Sequence, residues 1–186
     1  MSGPGLSEAS MPGAAYPGPS VKIYETAKII GIENIRFGDN IIIDDFVFIY
    51  AKKPMLLGDH VHIACFSSIA GGERVEIGNF SAVSHGCRVL SGSDDFTDWG
   101  FGNSTMDETF RNVKRAPISI GNFCVIGANS VILPGVTIGD GASIGAGSIV
   151  TKDLDPWGVY LGDKRIRERN REGVMDTYRK FLIRDR

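Results

Sequence analysis

Branched aliphatic residues recur at a fixed interval over the C-terminal part of the chain. Between Ile118 and Asp153 the sequence divides into sixes: ISIGNF, CVIGAN, SVILPG, VTIGDG, ASIGAG and SIVTKD. The third position of every six is aliphatic, and these residues are Ile120, Ile126, Ile132, Ile138, Ile144 and Val150. A spacing of six does not keep residues on one face of an α-helix, which has 3.6 residues per turn, so the pattern argues against a helix.

A related pattern runs through the earlier part of the chain. Gly38, Gly58 and Gly78 lie 20 residues apart, and each is preceded by an aliphatic or aromatic residue. The inward positions in this part are Phe37, Ile43, Ile49, Leu57, Ile63, Ile69, Ile77, Val83 and Val89. A six-residue unit with one branched residue and a small corner residue is typical of a parallel β-helix, in which stacked coils share one narrow core. We therefore predict an all-β fold with three sixes per coil and bulges near Lys53 and Gly72.

Residues 91–117 interrupt the repeat. Val89 and Ile120 are 31 residues apart, and the segment between them does not fit the frame. It contains Phe96, Trp99, Phe101 and Phe110 among acidic residues; these aromatic side chains favour burial on a surface over disorder. We predict a protruding loop that packs against another subunit and walls a site.

The two ends of the chain differ from the repeats. Residues 1–20 are rich in Gly, Pro, Ser and Ala, which predicts a flexible N-terminal arm outside the core. The β-helix domain is predicted over 21–163. Residues 164–186 are highly charged with a weak helical stripe, which predicts a short C-terminal helix that caps the open end of the coils.

Composition limits the classes of partner. The chain has 186 residues and a net charge of −2, so no strong field attracts nucleic acid or an anionic membrane. No apolar stretch is long enough to cross a bilayer and no secretory signal pattern is present, which predicts a cytoplasmic protein. Cys65, Cys87 and Cys124 lack metal-like spacing and fall inside repeats, so we predict small apolar side chains rather than nucleophiles.

Two segments carry a resemblance to a known family. The run PISIGNFCVIGANSVILPGVTIGDGASIGAGSIVTKDL resembles the hexapeptide-repeat acyltransferases, in particular the galactoside and maltose acetyltransferases. The segment GGERVEIGNFSAVSHGCRVLSGSDDF is closer to members acting on bacterial surface-polysaccharide sugars, including nucleotide-linked amino sugars. The resemblance implies a left-handed parallel β-helix and a homotrimer. It also implies acetyl-CoA bound between subunits and an acetyltransferase for lipopolysaccharide or O-antigen synthesis.

The resemblance also implies a cofactor groove along one edge of the C-terminal coils. The positions that match the family's backbone contacts to the pantetheine arm are Ala128, Ala146, Thr151 and Lys152. Small side chains there would let a ligand reach the backbone, although the repeat itself also favours small residues. Lys164 and Arg165 could meet the nucleotide phosphates or could simply form a solvated helix face. The family's GxPAK tail is Gly-Asp-Lys-Arg here, which departs from the phosphate-binding pattern.

The catalytic base is harder to assign. The sugar acetyltransferases have a His at the entrance to the loop, and Asp94 aligns with that position here. Of the three histidines, His85 precedes the loop most closely and is our first candidate, with His62 second; Asp94 and Asp95 would then hold the acceptor. An amine nucleophile needs only to be neutral, so the missing His favours an amino sugar as acceptor.

Two other classes share this architecture. The γ-type carbonic anhydrases bind zinc through three His, but their pair of His five residues apart is absent here, and we predict no metal site. A trimeric scaffold that has lost catalysis is also compatible with the missing loop-entry His. Binding of acetyl-CoA would distinguish the enzyme from both alternatives.

Overall fold

The computed structural model describes residues 17–184, which form short strands and one α-helix. In chain order the strands are β1 Lys22–Ile23, β2 Lys28–Ile30, β3 Ile35–Phe37, β4 Ile42–Ile43, β5 Phe48–Tyr50, β6 Met55–Leu57, β7 His62–Ile63, β8 Ser68–Ala70, β9 Val75–Ile77, β10 Ala82–Val83, β11 Arg88–Leu90, β12 Gly92–Ser93, β13 Lys114–Arg115, β14 Ile118–Ile120, β15 Val125–Ile126, β16 Val131–Ile132, β17 Thr137–Ile138, β18 Ser143–Ile144, β19 Ile149–Val150, β20 Gly158–Leu161 and β21 Lys164–Glu168. The helix, α1, spans Arg171–Arg184, and most of the predicted N-terminal arm, residues 1–16, lies outside the described part.

Three parallel sheets form the walls of the β-helix. Sheet A has the order β1-β4-β7-β10-β15-β18-β20, with β21 added antiparallel at its edge. Sheet B has the order β2-β5-β8-β11-β16-β19, and sheet C has the order β3-β6-β9-β14-β17. The chain visits A, B and C in turn and makes about seven coils, which confirms the predicted parallel β-helix.

The inward positions form one continuous core. Of the aliphatic residues predicted to point inward, those from Ile43 to Val150 are at most 3% exposed. Phe37, in the first coil, is only partly buried and packs against the core. Each fully buried Val, Leu or Ile contributes about 1.5–3 kcal/mol relative to its exposed state, so these three stacked rows, one from each sheet, contribute much of the stability of the fold.

Each coil turns through left-handed backbone at two of its three corners. We call the corner between sheets A and B the open corner and the corner between sheet C and the next strand of sheet A the covered corner. Residues with φ between 56° and 71° stand at the same place in successive coils. At the covered corner they are Asn40, His60, Phe80, Phe123, Gly141 and Trp157, and at the open corner Phe46, Phe66, Gly86, Asn129 and Gly147.

A ladder of Asp and Asn side chains explains the repeated Gly-Asp and Gly-Asn pairs before the covered corner. The Asp59 carboxylate accepts a hydrogen bond from the backbone N–H of Asp39, and the Asn79 side-chain oxygen accepts one from Asp59, both at 2.8 Å. Asn122 continues the ladder toward the C-terminal coils. The glycine must lack a side chain because a Cβ at Gly38 would lie 2.4 Å from the Asp59 carboxylate oxygen.

The C-terminal segment differs from the prediction in two ways. Lys164–Glu168 is strand β21 rather than helix, because it pairs with β20 and covers what would otherwise be the free edge of sheet A. The helix begins only at Arg171, and Tyr178 and Phe181 pack it against the covered corner rather than over the end of the coils. The hairpin of β20 and β21 closes that end instead.

Residues 91–117 leave the β-helix between β11 and β14, as predicted. Strands β12 and β13 pair antiparallel at the base of the loop. A 3₁₀ turn at Glu108–Phe110 is capped by Asp107, whose carboxylate accepts a hydrogen bond from the backbone N–H of Thr109. Within residues 17–184, the one helix is too short and too polar to cross a membrane.

Candidate active site

The open corner brings three predicted site residues into one column. Strand registers align Val83 with Ile126 and Ile126 with Ile144, so the residues two places later, His85, Ala128 and Ala146, follow one another along the helix axis. Backbone hydrogen bonds join them: the N–H of Asn129 donates to the carbonyl of His85, and the N–H of Gly147 donates to Ala128, both at 2.8 Å. Adjacent coils are about 4.8 Å apart, so Ala146 lies roughly 10 Å above His85.

The upper part of this column can accept a long polar ligand. Ala146 is exposed, and a Cβ built on Gly147 would meet nothing within 4 Å. Within residues 17–184, no acceptor is found for the backbone N–H groups of Ala128 and Ala146. Exposed, unpaired amides beside small side chains are suited to binding the amide groups of an extended ligand.

Thr151 departs from its predicted use. Its backbone N–H donates to the Asp163 carboxylate at 2.7 Å and its hydroxyl donates to the same group. These hydrogen bonds lower the pKa of Asp163 below its ordinary value, and the bond from the Thr151 hydroxyl has the largest effect. The Thr151 amide is therefore already occupied, and it holds the turn of the β20–β21 hairpin over the end of sheet B. Lys152, next to it, is exposed.

Lys164 and Arg165 lie in β21, directly beyond that turn. Lys164 is exposed and makes no ion pair within the described chain. Arg165 donates to the Glu168 carboxylate at 2.5 Å and to the carbonyl of Pro156 at 3.3 Å. Of the two, Lys164 has the more available charge.

The three histidines occupy different surroundings. His85 is exposed at the open corner, whereas the His62 ring on sheet A lies 3.1 Å from the Asp44 carboxylate. His60 stacks on Phe80 at the covered corner, with 4.6 Å between ring centroids. Over residues 17–184 no group of three metal-binding side chains comes together. The three histidines therefore do not form the zinc-binding set that the carbonic anhydrase alternative requires.

Asp95 holds the loop together. Its carboxylate accepts hydrogen bonds from the backbone N–H groups of Thr97, Asp98 and Gly100 at 2.9–3.0 Å, and from the Asn112 amide at 2.9 Å. These hydrogen bonds hold the pKa of Asp95 far below its ordinary value, and the bond from the Thr97 backbone N–H has the largest effect. A carboxylate that accepts four hydrogen bonds within the loop has little capacity left for a ligand. This argues against the predicted contact between Asp95 and the acceptor.

The Asp94 carboxylate, unlike that of Asp95, is free to contact a ligand. One carboxylate oxygen lies 3.4 Å from the Arg111 guanidinium, and about half of its side chain is exposed. The Arg111 side chain is largely covered, and its Nε has no hydrogen-bond partner in the described chain. Sequence reasoning did not single out Arg111, because only the folded loop brings it beside Asp94.

His85 and Asp94 stand at opposite ends of β11. His85 precedes the strand at the open corner, and Asp94 follows β12 beyond its far end. Sheet B therefore separates them within one protomer. Two protomers packed side by side could bring the loop of one next to the open corner of the other.

Two of the three cysteines are buried and poorly suited to act as nucleophiles, as predicted. Cys87 and Cys124 are buried, and burial raises both pKa values, that of Cys124 to about 11. Cys65 is partly exposed. Because the thiolate is the reactive form, a thiol with a raised pKa does not suit an acyl-enzyme mechanism.

The fold and the repeat define a hexapeptide-repeat transferase. Residues 117–152 match the family described as bacterial transferase hexapeptide (six repeats). Over 158 residues the chain is 33% identical to dTDP-4-amino-4,6-dideoxy-D-glucose acyltransferase of Escherichia coli, covering 83% of this chain and 82% of that protein. It therefore belongs to the hexapeptide-repeat sugar acyltransferases.

Two further comparisons define the resemblance more closely. AntD, an N-acyltransferase from Bacillus cereus solved with dTDP and 3-hydroxybutyryl-CoA, superposes with a TM-score of 0.84 at 32% identity, covering 89% of this chain and 88% of AntD. Galactoside O-acetyltransferase of Escherichia coli K12 is 68% identical over 46 residues, which cover 25% of this chain and 23% of that protein. The first likeness spans the whole fold, and the second is confined to a short segment.

Proposed function

We propose that the protein transfers an acetyl group from acetyl-CoA to the amine of a nucleotide-linked amino sugar. The observation that carries this is the open-corner column, where His85 lies in line with the unpaired backbone amides of Ala128, which is half-buried, and Ala146, which is exposed. A pantetheine arm bonded to those amides would bring its thioester toward His85. Lys164, at the start of β21 beyond the top of the column, is placed to meet its phosphates, and Lys152, exposed at the far end of sheet B, is the second candidate for them.

The relatives favour an amine over a hydroxyl as nucleophile. The Escherichia coli relative acts on a 4-amino sugar carried by dTDP, and AntD has been solved with dTDP-4-amino-4,6-dideoxyglucose and coenzyme A. Solved forms of AntD include replacements of an aspartate and of a serine that stand ten positions apart. In this chain Ser84 and Asp94 have the same separation. We propose that Asp94 holds the acceptor amine and that Ser84 lies in the same acceptor site.

The reaction needs no covalent enzyme intermediate. The neutral amine attacks the thioester carbonyl, a C–N bond forms, and the C–S bond breaks as the coenzyme A thiolate leaves. The proton that the amine loses goes to His85 and then to the thiolate, so the products are an amide and free coenzyme A. His62, paired with Asp44, is the second candidate for the base.

We also propose a homotrimer with the site between protomers. Within one protomer His85 and Asp94 are separated by sheet B, so a complete site needs a second copy. Exposed aromatic side chains support this: Phe46 and Phe66 at the open corner are 57% and 59% exposed, and Phe96 and Trp99 in the loop are 88% and 60% exposed. A head-to-tail contact of unlike patches closes into a ring, and three copies would give three equivalent sites.

The biological setting follows from this chemistry. Acetylated nucleotide sugars are precursors of surface polysaccharide, so we propose a role in lipopolysaccharide or O-antigen synthesis. The reaction would take place in the cytoplasm, where both co-substrates are made.

The test is a matrix of acyl donors and acceptors. Acetyl-CoA and longer acyl-CoAs are paired with dTDP- and UDP-linked amino sugars and with plain sugars, and release of free thiol is followed. We expect turnover with a nucleotide-linked amino sugar and little with the hydroxyl-only analogue. Calorimetry with acetyl-CoA alone separates the enzyme from the two alternatives: we expect binding, and no binding would contradict the proposal and favour a scaffold.

A further inference from the structure

Arg111 brings a positive charge to the Asp94 carboxylate near the base of the loop. Its Nη2 donates to Asp94 Oδ1 at 3.4 Å, and only 15% of the Arg111 side chain is exposed, against 49% for Asp94. The Arg111 backbone N–H donates to the Glu108 carbonyl at 3.1 Å, and a Cβ on Gly102 would lie 3.0 Å from the Arg111 Cγ. The guanidinium is therefore held beside one carboxylate oxygen, and within residues 17–184 the other oxygen has no hydrogen-bond partner.

The pair of Asp94 and Arg111 is not what holds the loop in shape. Asp95 does this, because it accepts hydrogen bonds from three backbone N–H groups and from Asn112. Arg111 makes a single long hydrogen bond through its side chain, and its buried Nε has no partner in the described part of the chain. Covering a guanidinium costs solvation free energy that one such bond offsets poorly. This cost favours a use for Arg111 in the site rather than in the loop.

The loop around Asp94 is acidic even with Arg111 present. Residues 91–117 carry five carboxylates against three cations, and without Arg111 only two cations would remain. The other charged residues of the loop are Asp95, Asp98, Asp107, Glu108, Lys114 and Arg115. Lys52 and Glu73, from the two preceding coils, lie at the loop base, and in the proposed trimer His85 of the partner subunit would join them. Of the three loop cations, Arg111 is the one in contact with Asp94.

The sign of these charges matters for an amine nucleophile. Only the neutral amine can attack a thioester, because the ammonium form has no free electron pair. A carboxylate in contact with the amine favours the ammonium form, which makes the acceptor less reactive at neutral pH. A guanidinium within about 4–6 Å of the same amine favours the neutral form. The two effects oppose each other, so a carboxylate paired with a guanidinium can bind an amine without deactivating it.

We propose that Arg111 is a positioning residue for the acceptor. It holds one oxygen of the Asp94 carboxylate, which leaves the other oxygen for the acceptor amine, and its charge keeps the bound amine neutral. This role rests on the proposed function, in which Asp94 contacts the amine of a nucleotide-linked amino sugar.

The protonation state of the bound amine tests this role directly. The probe is dTDP-4-amino-4,6-dideoxyglucose with a ¹⁵N-labelled amine, bound together with coenzyme A, and its ¹⁵N chemical shift is followed from about pH 5 to about pH 10. In Arg111→Gln the midpoint of the amine titration should rise by about one pH unit or more, and in Arg111→Lys it should stay at the wild-type value. Lys114→Gln is the matched control and should leave the midpoint unchanged, because this exposed loop cation donates to Thr97 rather than to Asp94.

Turnover at saturating substrate should show the same effect of charge. We expect kcat of Arg111→Gln to fall about tenfold near neutral pH and to recover most of that loss about two pH units higher, whereas Arg111→Lys keeps the wild-type profile. An equal loss at every pH would indicate a purely structural role and would overturn the proposal. An amine midpoint in Arg111→Gln that matches the wild type would overturn it too.

The wild type distinguishes this proposal from the proposed function. If the wild type acetylates the amino sugar and the midpoint in Arg111→Gln is unchanged, the role of Arg111 is wrong and the proposed function stands. If the wild type neither binds nor acetylates it, the proposed function is wrong, and the role of Arg111 with it. Hydrogen exchange at the amides of Thr97 and Gly100, which donate to Asp95, shows whether each variant keeps the loop. Where Arg111→Gln loses the loop, Arg111→Lys decides, because a raised midpoint there overturns the proposal by itself.

Discussion

The open and covered corners have the same backbone and opposite surroundings. Each turns through left-handed residues once per coil, with φ close to 60° or 70° in both. At the covered corner the side chains are mostly rings, Phe80 stacks on Phe123 with 5.3 Å between centroids, and α1 lies over them. At the open corner the upper coils carry Gly86, Asn129 and Gly147, and no described element covers them.

The difference shows how one repeat serves two purposes. Left-handed backbone costs a residue with a Cβ about 1–2 kcal/mol, so Phe at such a position needs compensation. Ring stacking and the helix supply it at the covered corner. The upper open corner avoids most of that cost with Gly86 and Gly147, and with Asn129, a residue type that tolerates this conformation better than most. The first corner is therefore suited to stability, and the second has the accessible backbone that the proposed cofactor groove requires.

The largest effect is expected in the proposed active site, where the loop of one protomer would meet the open corner of the next. Asp94→Asn keeps the size of the side chain and removes its charge, so the acceptor amine loses its partner. We expect turnover to fall by about 10²–10⁴-fold, equivalent to roughly 3–5 kcal/mol of barrier, with unchanged affinity for acetyl-CoA. Steady-state kinetics and calorimetry measure the two quantities.

His85→Ala should give a loss in the same range, because it removes the proposed base. Asp95→Asn provides a contrast, since Asp95 holds the loop; it should reduce thermal stability as well as rate. If His85→Ala turns over normally and His62→Ala does not, the base is His62. Normal turnover in Asp94→Asn would exclude Asp94 from the site.

A pair of glycines compares the two corners directly. Gly141 at the covered corner and Gly147 at the open corner have φ of 71° and 70°. A Cβ on Gly141 would lie 2.4 Å from the Trp157 ring, whereas one on Gly147 would meet nothing within 4 Å. Gly147→Ala should cost only the left-handed strain, about 1–2 kcal/mol. Gly141→Ala should cost a further 1–3 kcal/mol, on the order of overpacking.

Urea unfolding of both variants measures this difference. Far-ultraviolet circular dichroism of the folded variants checks that the β-helix is retained. Equal free energies of unfolding would mean that the Trp157 ring moves aside at no cost, and the covered corner would then be less rigid than its contacts indicate.

A bulky residue in the column should block the cofactor. Ala146→Trp places an indole beside the unpaired amides, and we expect affinity for acetyl-CoA to fall at least about tenfold, or 1.4 kcal/mol. The control is Val125→Trp, because Val125 is also exposed but points outward from sheet A. Wild-type affinity in Ala146→Trp would place the cofactor elsewhere.

The repeat made the fold predictable and much of the column as well. Branched residues every six positions need a shared core, so the inward series from Ile43 to Val150 could be assigned without a structure. His85 and Ala128 also follow from the repeat: they are 43 residues apart, which is one coil of 18 and an insertion of 25. Counting along the repeat would have placed them in adjacent coils.

The C-terminal strand and the surroundings of several site residues depend on tertiary contacts, which the repeat pattern of the sequence does not show. Charge and a weak apolar stripe suggested helix from Lys164, yet pairing with β20 decides that segment. Thr151 matched a cofactor position, but a carboxylate 12 residues later occupies its amide. Asp94 and Asp95 are neighbours in different surroundings, because only Asp95 accepts hydrogen bonds from the backbone N–H groups of the folded loop.

The smallest effect concerns that occupied amide. The lowered pKa of Asp163 means that its contribution to stability is present above the unfolded value near 4 and is lost as the pH falls through the lower folded value. Asp163→Asn should cost about 0.5–1.5 kcal/mol at pH 7, and the difference from wild type should shrink toward pH 3. Urea unfolding at the two pH values measures it. Affinity for acetyl-CoA should not fall, because the Thr151 amide is not available to the cofactor in the wild type; a clear fall would show that the top of sheet B belongs to the ligand groove.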